Sequence, residues 1–236
     1  MATHAVDVPA LAQRIPPLYS GDHLSRLEFE RRYAASPDIR KAELVEGVVY
    51  VNAAALSYSH GQPHASLIGW LFVYSAATPH VFAADNSSVR LDGLNEAQPD
   101  AQLRIDERHG GQSKIDDNDL IAGAPELAAE IAVTSASYDL HSKLRAYCRN
   151  GVREYIVWRV LDKAIDWFVL RDDRYEPLPM DEHGIIKSEV FPGLWLNPAA
   201  LLAGEMATVL AVLQQGIASE EHQAFCKRLS DSQRGT

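Results

Sequence analysis

Two acids stand out by their surroundings. Asp100 follows Gln98-Pro99 and opens the strand-like run Ala101-Gln102-Leu103. Glu130 interrupts an otherwise apolar stretch, Leu127-Ala128-Ala129-Glu130-Ile131-Ala132-Val133. A carboxylate among Leu, Ala, Ile and Val is costly unless a partner neutralises it, because stripping water from an unpaired ion costs several kcal/mol. Mg²⁺ is a suitable partner. It is a hard cation that commonly rests on one or two carboxylates and fills its other positions with water and phosphate. Asp100 and Glu130 are therefore the candidate metal ligands.

Three more residues join them. Lys143 lies in the first turns of the helix expected after the Glu130 strand, where an ammonium can reach back over the strand end and compensate charge on a phosphate. Glu43 sits beside a Glu46-Gly47 turn and could complete a metal site or act as a general base toward water. His64 heads an apolar helix and is a candidate neighbour of the site, whereas His60 is expected in a loop. Each has a plainer reading. Glu130 could pair with Arg or Lys in a structural salt bridge, and Asp100 could be a turn residue after proline. Lys143 could pair with Asp139 at i+4, and Glu43 could be an exposed strand acid.

The surrounding pattern must bring these residues together. Ser25-Arg26-Leu27-Glu28 resembles a capping box and predicts a helix over about 25–35. Ala42 to Val51 is β-branched around Glu-Gly and predicts a hairpin or bent strand. Apolar residues from Leu67 to Phe72 recur at helical spacing and predict a helix over 64–77. Short strands are expected near 80–84, 87–91 and 100–105, then a long loop over 106–124 rich in Gly, Asp and Asn. The run through Glu130 suits a strand buried on both faces. Asp139 to Asn150 is helical, with Asn150-Gly151 as its stop. Strands near 154–158, 164–170 and 174–176 follow, then helices near 198–214 and 219–229. This order predicts an α/β fold with a mixed central sheet flanked by helices. The expected organisation is a loose arm over 1–20, one α/β domain over 21–203 and a helical extension over 204–236.

Composition narrows the class. Hydrophobic residues at 47% and charged residues at 23% are those of a globular chain, and no apolar run reaches the roughly 20 residues a membrane helix needs. With no signal-like N-terminus in the sequence, a cytoplasmic location and no membrane partner are expected. Cys148 and Cys226 have neither metal-knuckle nor CxxC spacing; Cys148 is expected to be a small buried hydrophobe. The formal charge of −10 argues against a sequence-independent polyanion binder, which needs a basic face. It leaves room for a local basic cleft.

The residues also resemble a known family. Leu24 to Phe29, Glu43-Leu44-Val45-Glu46-Gly47-Val48-Val49, His64 ahead of its helix, Gln98-Pro99-Asp100-Ala101, the run from Pro125 to Val133, Tyr138-Asp139, Lys143, Tyr147 and Gly151 to Trp158 follow one another as in the Uma-type family. That family is classed with the restriction endonucleases of the PD-(D/E)XK nuclease superfamily. The resemblance spans about 24–203. It implies a restriction endonuclease-like core, a divalent metal (Mg²⁺ or Mn²⁺) at Asp100 and Glu130, and hydrolysis of nucleic-acid phosphodiesters, DNA first. The superfamily lysine two residues after the second acid is absent, since Ala132 stands there. The resembled family generally lacks it too, and Lys143 is the substitute the resemblance offers.

Further expectations can be tested against a structure. Trp158 and Trp167 should lie in core strands rather than stack on bases. Phe191 to Leu196 should pack the C-terminal part or serve as a homodimer contact, since nucleases that cut both strands often pair two sites. A catalytically degenerate binding or structural protein of the same fold is the alternative function. A serine hydrolase using Ser135 or Ser137 is the third reading; it lacks a nucleophile elbow, and both serines suit the cap of the following helix.

Overall fold

A computed structural model describes residues 15–51 and 57–232. Most of the expected N-terminal arm lies outside them. Within its last part, Leu18 is buried with Phe29, Leu44 and Val49.

Helix α1 (Arg26–Ala34) is capped by Ser25, whose hydroxyl accepts from the Glu28 amide, and it buries Phe29. Strands β1 (Ala42–Val45) and β2 (Val48–Val51) pair in antiparallel register. Glu46 and Gly47 between them both have positive φ, the conformation that a two-residue hairpin turn matching strand twist requires. The long helix α2 (Tyr58–Ala77) begins earlier than its apolar spacing predicts. His60 is therefore helical rather than in a loop, and His64 lies inside the helix rather than at its head.

Strands β3 (Val81–Asp85), β4 (Val89–Asp92), β5 (Asn95–Ala97) and β6 (Ala101–Ile105) follow. The 106–124 segment is mostly loop, with two-residue strands β7 (Lys114–Ile115) and β8 (Ile121–Ala122). Strand β9 (Leu127–Ala132) is buried at every position. The chain then runs through α3 (Ala136–Tyr138), a π-helical segment (Asp139–Lys143) and α4 (Leu144–Arg149) into β10 (Glu154–Arg159), which pairs parallel to β9. Strands β11 (Ala164–Arg171) and β12 (Arg174–Pro177), the small pair β13 (Ile186–Lys187) and β14 (Trp195–Leu196), and helices α5 (Pro198–Leu202), α6 (Met206–Ile217) and α7 (Glu220–Asp231) complete the chain.

The expected mixed α/β architecture is present, but its strands divide between two six-stranded sheets, β2-β1-β5-β4-β8-β7 and β12-β11-β10-β9-β6-β3. The second carries the principal core. On β9, Leu127, Ala129 and Ile131 face a cluster that includes Trp70, Tyr74, Trp158 and Trp167 and draws in Val209, Leu213, Phe225 and Leu229 of α6 and α7. Ala128 and Ala132 face the opposite way, against Tyr147, Tyr155 and Leu144 under the crossover helix. Strand alternation puts Glu130 on this second face. Trp158 and Trp167 are core residues, as expected.

The Phe191–Leu196 segment packs inside the chain. Phe191, Leu194 and Leu196 are buried, and the Trp70 indole and Tyr74 hydroxyl donate to the carbonyls of Trp195 and Pro192. Any side chain at Gly216 would strike the Gly193 carbonyl, since a Cβ there would lie 2.2 Å from that oxygen. Cys148 differs from expectation. It is only half-buried, and its thiol meets the Asp173 carbonyl at 3.3 Å.

Candidate active site

Register brings the two acids together. Strands β6 and β9 pair with Ala101 opposite Ala129, so one residue further along Asp100 stands opposite Glu130. Directly opposed residues project to the same face with Cβ atoms roughly 5 Å apart. The Ile131 amide donates to Asp100 Oδ2 at 2.8 Å and fixes that carboxylate against β9. Both acids, with Glu43, Asp139 and Lys143, line a cavity of about 580 Å³.

The crossover helix supplies the cation. Its π-helical segment adds a residue per turn, a distortion frequent at functional sites, and both Asp139 and Lys143 within it are buried. Lys143 Nζ lies 2.8 Å from Glu130 Oε1, 2.9 Å from Glu43 Oε1 and 3.9 Å from Asp139 Oδ1. The i+4 partner expected from sequence is thus the most distant of the three. Tyr147, one turn on, donates to Glu130 Oε1 at 2.9 Å. Glu43 is buried at 1% exposure, not an exposed strand acid. Its Oε1 also accepts from the Gln98 amide at 2.7 Å, which ties β1 to the turn before Asp100.

Asp100 has a lysine and a histidine of its own. Lys41 Nζ lies 3.1 Å from Oδ1, and His60 Nε2 lies 3.2 Å from Oδ2. The carboxylate can only accept, so His60 carries its proton on Nε2. His64 Nε2 reaches the Asp100 carbonyl at 2.8 Å and Asp85 Oδ1 at 2.9 Å; it orients backbone and lies next to the site. Ser135 stands before α3 but makes no side-chain cap. Its hydroxyl donates instead to Asp139 Oδ2 at 2.5 Å. Sequence reasoning missed Lys41 and His60. A lysine ahead of a hairpin and a histidine outside the apolar spacing carry no local signal, and only the packing of α2 and β1 beside Asp100 marks them.

The electrostatics separate the acids. Burial alone would raise Asp100, but the His60 hydrogen bond, Lys41, Lys143 and the Ile131 amide hold it well below the usual carboxylate range. Burial pushes Glu130 up to about 8; Lys143 opposes the rise, while Asp100, Asp139 and Glu43 add to it. Burial likewise raises Asp139, against Lys143 and the Ser135 hydroxyl. Burial would lower Lys143, yet Glu130, Glu43 and Asp139 outweigh it and hold the ammonium charged.

Four carboxyl groups, Glu43, Asp100, Glu130 and Asp139, share this cavity with three cations, Arg40, Lys41 and Lys143, and burial favours the protonated form of Glu130 and Asp139. Among the described residues, Glu130 Oε2 and Glu43 Oε2 accept no hydrogen bond, and the buried Tyr138 hydroxyl has no partner. These features fit a divalent cation that takes most of its ligands from water and phosphate. No group of three or more His, Cys, Asp or Glu side chains among the described residues is arranged to enclose a metal alone.

A family model for Uma2, described as "Putative restriction endonuclease", matches residues 26–199. The crystal structure of "a putative nuclease belonging to DUF820" from Anabaena variabilis ATCC 29413 superposes with a TM-score of 0.52 at 12% identity. The match covers 79% of this chain and 97% of that one, a likeness of fold. No curated protein matches the sequence. No helix among the described residues is long and apolar enough to cross a membrane.

Proposed function

The chain belongs to the Uma2 family of restriction endonuclease-like proteins, and on that premise we propose that it is a metal-dependent nuclease hydrolysing phosphodiester bonds of DNA. The observation that carries this reading is the convergence of Asp100 and Glu130 on one face of the sheet, at one cavity, with Lys143 and Glu43 beside them.

Asp100 and Glu130 are the residues that would hold Mg²⁺ or Mn²⁺. The cation supplies Lewis-acid charge at the phosphoryl group and makes water a better nucleophile at neutral pH. Lys143 is held charged and fixed, so its ammonium meets negative charge as it develops without having to reorganise. Glu43 holds Lys143 through Oε1, and its second oxygen is left to accept a proton from water. Tyr147 orients the Glu130 carboxylate by donating to Oε1. The Ile131 amide, His60 and Lys41 keep Asp100 ionised and in place.

The test is isothermal calorimetry with Mg²⁺ and Mn²⁺, alongside cleavage of supercoiled plasmid, on the wild type, D100N and E130Q. Metal-dependent nicking in the wild type and its loss in both variants is the expected result. A second reading, a degenerate binding protein of the same fold, is favoured by one observation: Lys143 already neutralises Glu130, and both Asp100 oxygens have partners. A wild type that takes up no metal and leaves plasmid intact would establish that reading instead.

A further inference from the structure

A chain of formal charge −10 must concentrate positive charge somewhere if it is to hold a polyanion, because phosphate neutralisation dominates nucleic-acid affinity. The cavity has two unlike walls. One is acidic and buried, with Glu43, Glu130 and Asp139 around Lys143. That lysine is enclosed by carboxylates and cannot leave them to grip a substrate. The other wall carries Arg40, Lys41 and His60 together with Asn86. Arg40 is exposed and has no carboxylate within ion-pair distance among the described residues. Lys41 is partly exposed, held by Asp100 Oδ1 at 3.1 Å and Asn86 Oδ1 at 3.0 Å. His60 Nδ1 is buried and makes no hydrogen bond.

We infer that Arg40 and Lys41 form a phosphate-binding wall that seats the backbone of duplex DNA at the cavity, with Lys41 exchanging its hold on Asp100 for a backbone phosphate. This rests on the nuclease reading and adds to it the residues that position the substrate. Chemistry favours the exchange. A partly exposed lysine bound to a carboxylate is a compact point charge on a flexible stem, and a phosphate offers it an equivalent partner. Its departure frees Asp100 Oδ1. Lys41 and Arg40 are adjacent in sequence, ahead of β1, so the hairpin that positions Glu43 also fixes the spacing between the phosphate wall and the acids.

The experiment is fluorescence anisotropy of a labelled DNA duplex with the full chain in EDTA, so that no turnover enters, repeated over a range of salt. The K41Q variant is expected to weaken binding on the order of tenfold at low salt and to flatten the slope of log affinity against log salt by about 0.9. The R40Q/K41Q double variant should flatten it by about 1.8. D100N, which releases Lys41 and removes a negative charge, should bind the duplex more tightly than the wild type. Thermal unfolding of each variant confirms its fold. A folded R40Q/K41Q protein with wild-type affinity and slope overturns the inference, as does a wild type with no affinity for duplex. Plasmid cleavage with Mg²⁺ separates the two readings. Binding that depends on Lys41 without any cleavage leaves the wall standing and removes the nuclease, while cleavage with unaltered slopes does the reverse.

Discussion

The parallel pair β9–β10 buries carboxylates at both ends, and the two ends treat them differently. At the N-terminal end, Glu126 accepts from the Ile105 amide at 2.7 Å and the Gln112 amide at 2.8 Å. Glu154 accepts from the Glu189 and Val190 amides, the Ser188 hydroxyl and the Trp167 indole. Every oxygen there has a donor, and the donors are mostly backbone. Toward the C-terminal end, Glu130 meets a lysine and a tyrosine through one oxygen, and the other faces a cavity. Ligands of open α/β sheets bind outside the carboxyl ends of the strands, and the partition of these acids follows that rule. A buried acid is thus not in itself a sign of chemistry. What distinguishes Glu130 is spare acceptor capacity next to space, whereas Glu126 and Glu154 serve as staples for loops.

The sharpest way to break this contrast is to remove charge at each end while keeping shape. D100N and E130Q should each lower metal-dependent plasmid cleavage per folded molecule by at least about a hundredfold, while each costs only about 1–3 kcal/mol of stability. E154Q should keep the cleavage rate per folded molecule. If E154Q abolishes cleavage in a folded protein while E130Q spares it, the assignment of the two ends is inverted.

Removing the cation comes next. K143M leaves Glu43, Glu130 and Asp139 buried without their shared cation and should cost about 3–5 kcal/mol in urea unfolding. Adding E130Q to K143M should recover at least about 1 kcal/mol relative to additivity. Strict additivity would mean that Lys143 and Glu130 are not coupled.

E126Q and E154Q each turn an amide NH₂ toward a donor and should cost about 1–3 kcal/mol. For Glu154 this cost depends on pH. Burial pushes its carboxyl up to about 7, against its four donors, from an ordinary value near 4.5. The folded state therefore keeps the proton over a range in which the unfolded chain has lost it. The stabilisation is complete below pH 4.5 and disappears as pH rises through 7, a change of about 3 kcal/mol. The stability gap between wild type and E154Q should accordingly be widest near pH 4.5 and narrowest near pH 8. A gap that widens with pH would refute the raised value.

The smallest expected effect is Y147F, which deletes one hydrogen bond to Glu130 and should cost about 1 kcal/mol. Plasmid cleavage by Y147F should fall far less than in E130Q.

Much of this was readable from residue order. The Glu46-Gly47 turn, the Ser25 cap, the apolar run around Glu130 and the Asn150-Gly151 stop are local signals, and each appears where its short-range chemistry requires it. Glu130 was a candidate on the same grounds, because a charge amid apolar neighbours demands a partner whatever the fold; Asp100, Glu43 and Lys143 were candidates for their places at a strand start, beside a turn and on the helix after the Glu130 strand. The start of α2 was not readable. Tyr58-Ser59-His60 carries no apolar stripe: Tyr58 and Ser59 are exposed, and only His60 turns inward, to Asp100. The same reason hid His60 and Lys41, and it concealed the division of the strands into two sheets.

Sequence by itself determined which side chains could not be buried alone and which stretches had to be strand or helix, since both follow from desolvation and from periods of two and 3.6 residues. Only tertiary structure decided which partner each buried charge received. Glu130 took Lys143 and Tyr147, Glu126 and Glu154 took backbone amides, and Asp100 took Lys41 and His60. Those pairings depend on strand register and on the face a crossover helix covers. A slip of β9 by one residue would send Glu130 to the other side of the sheet.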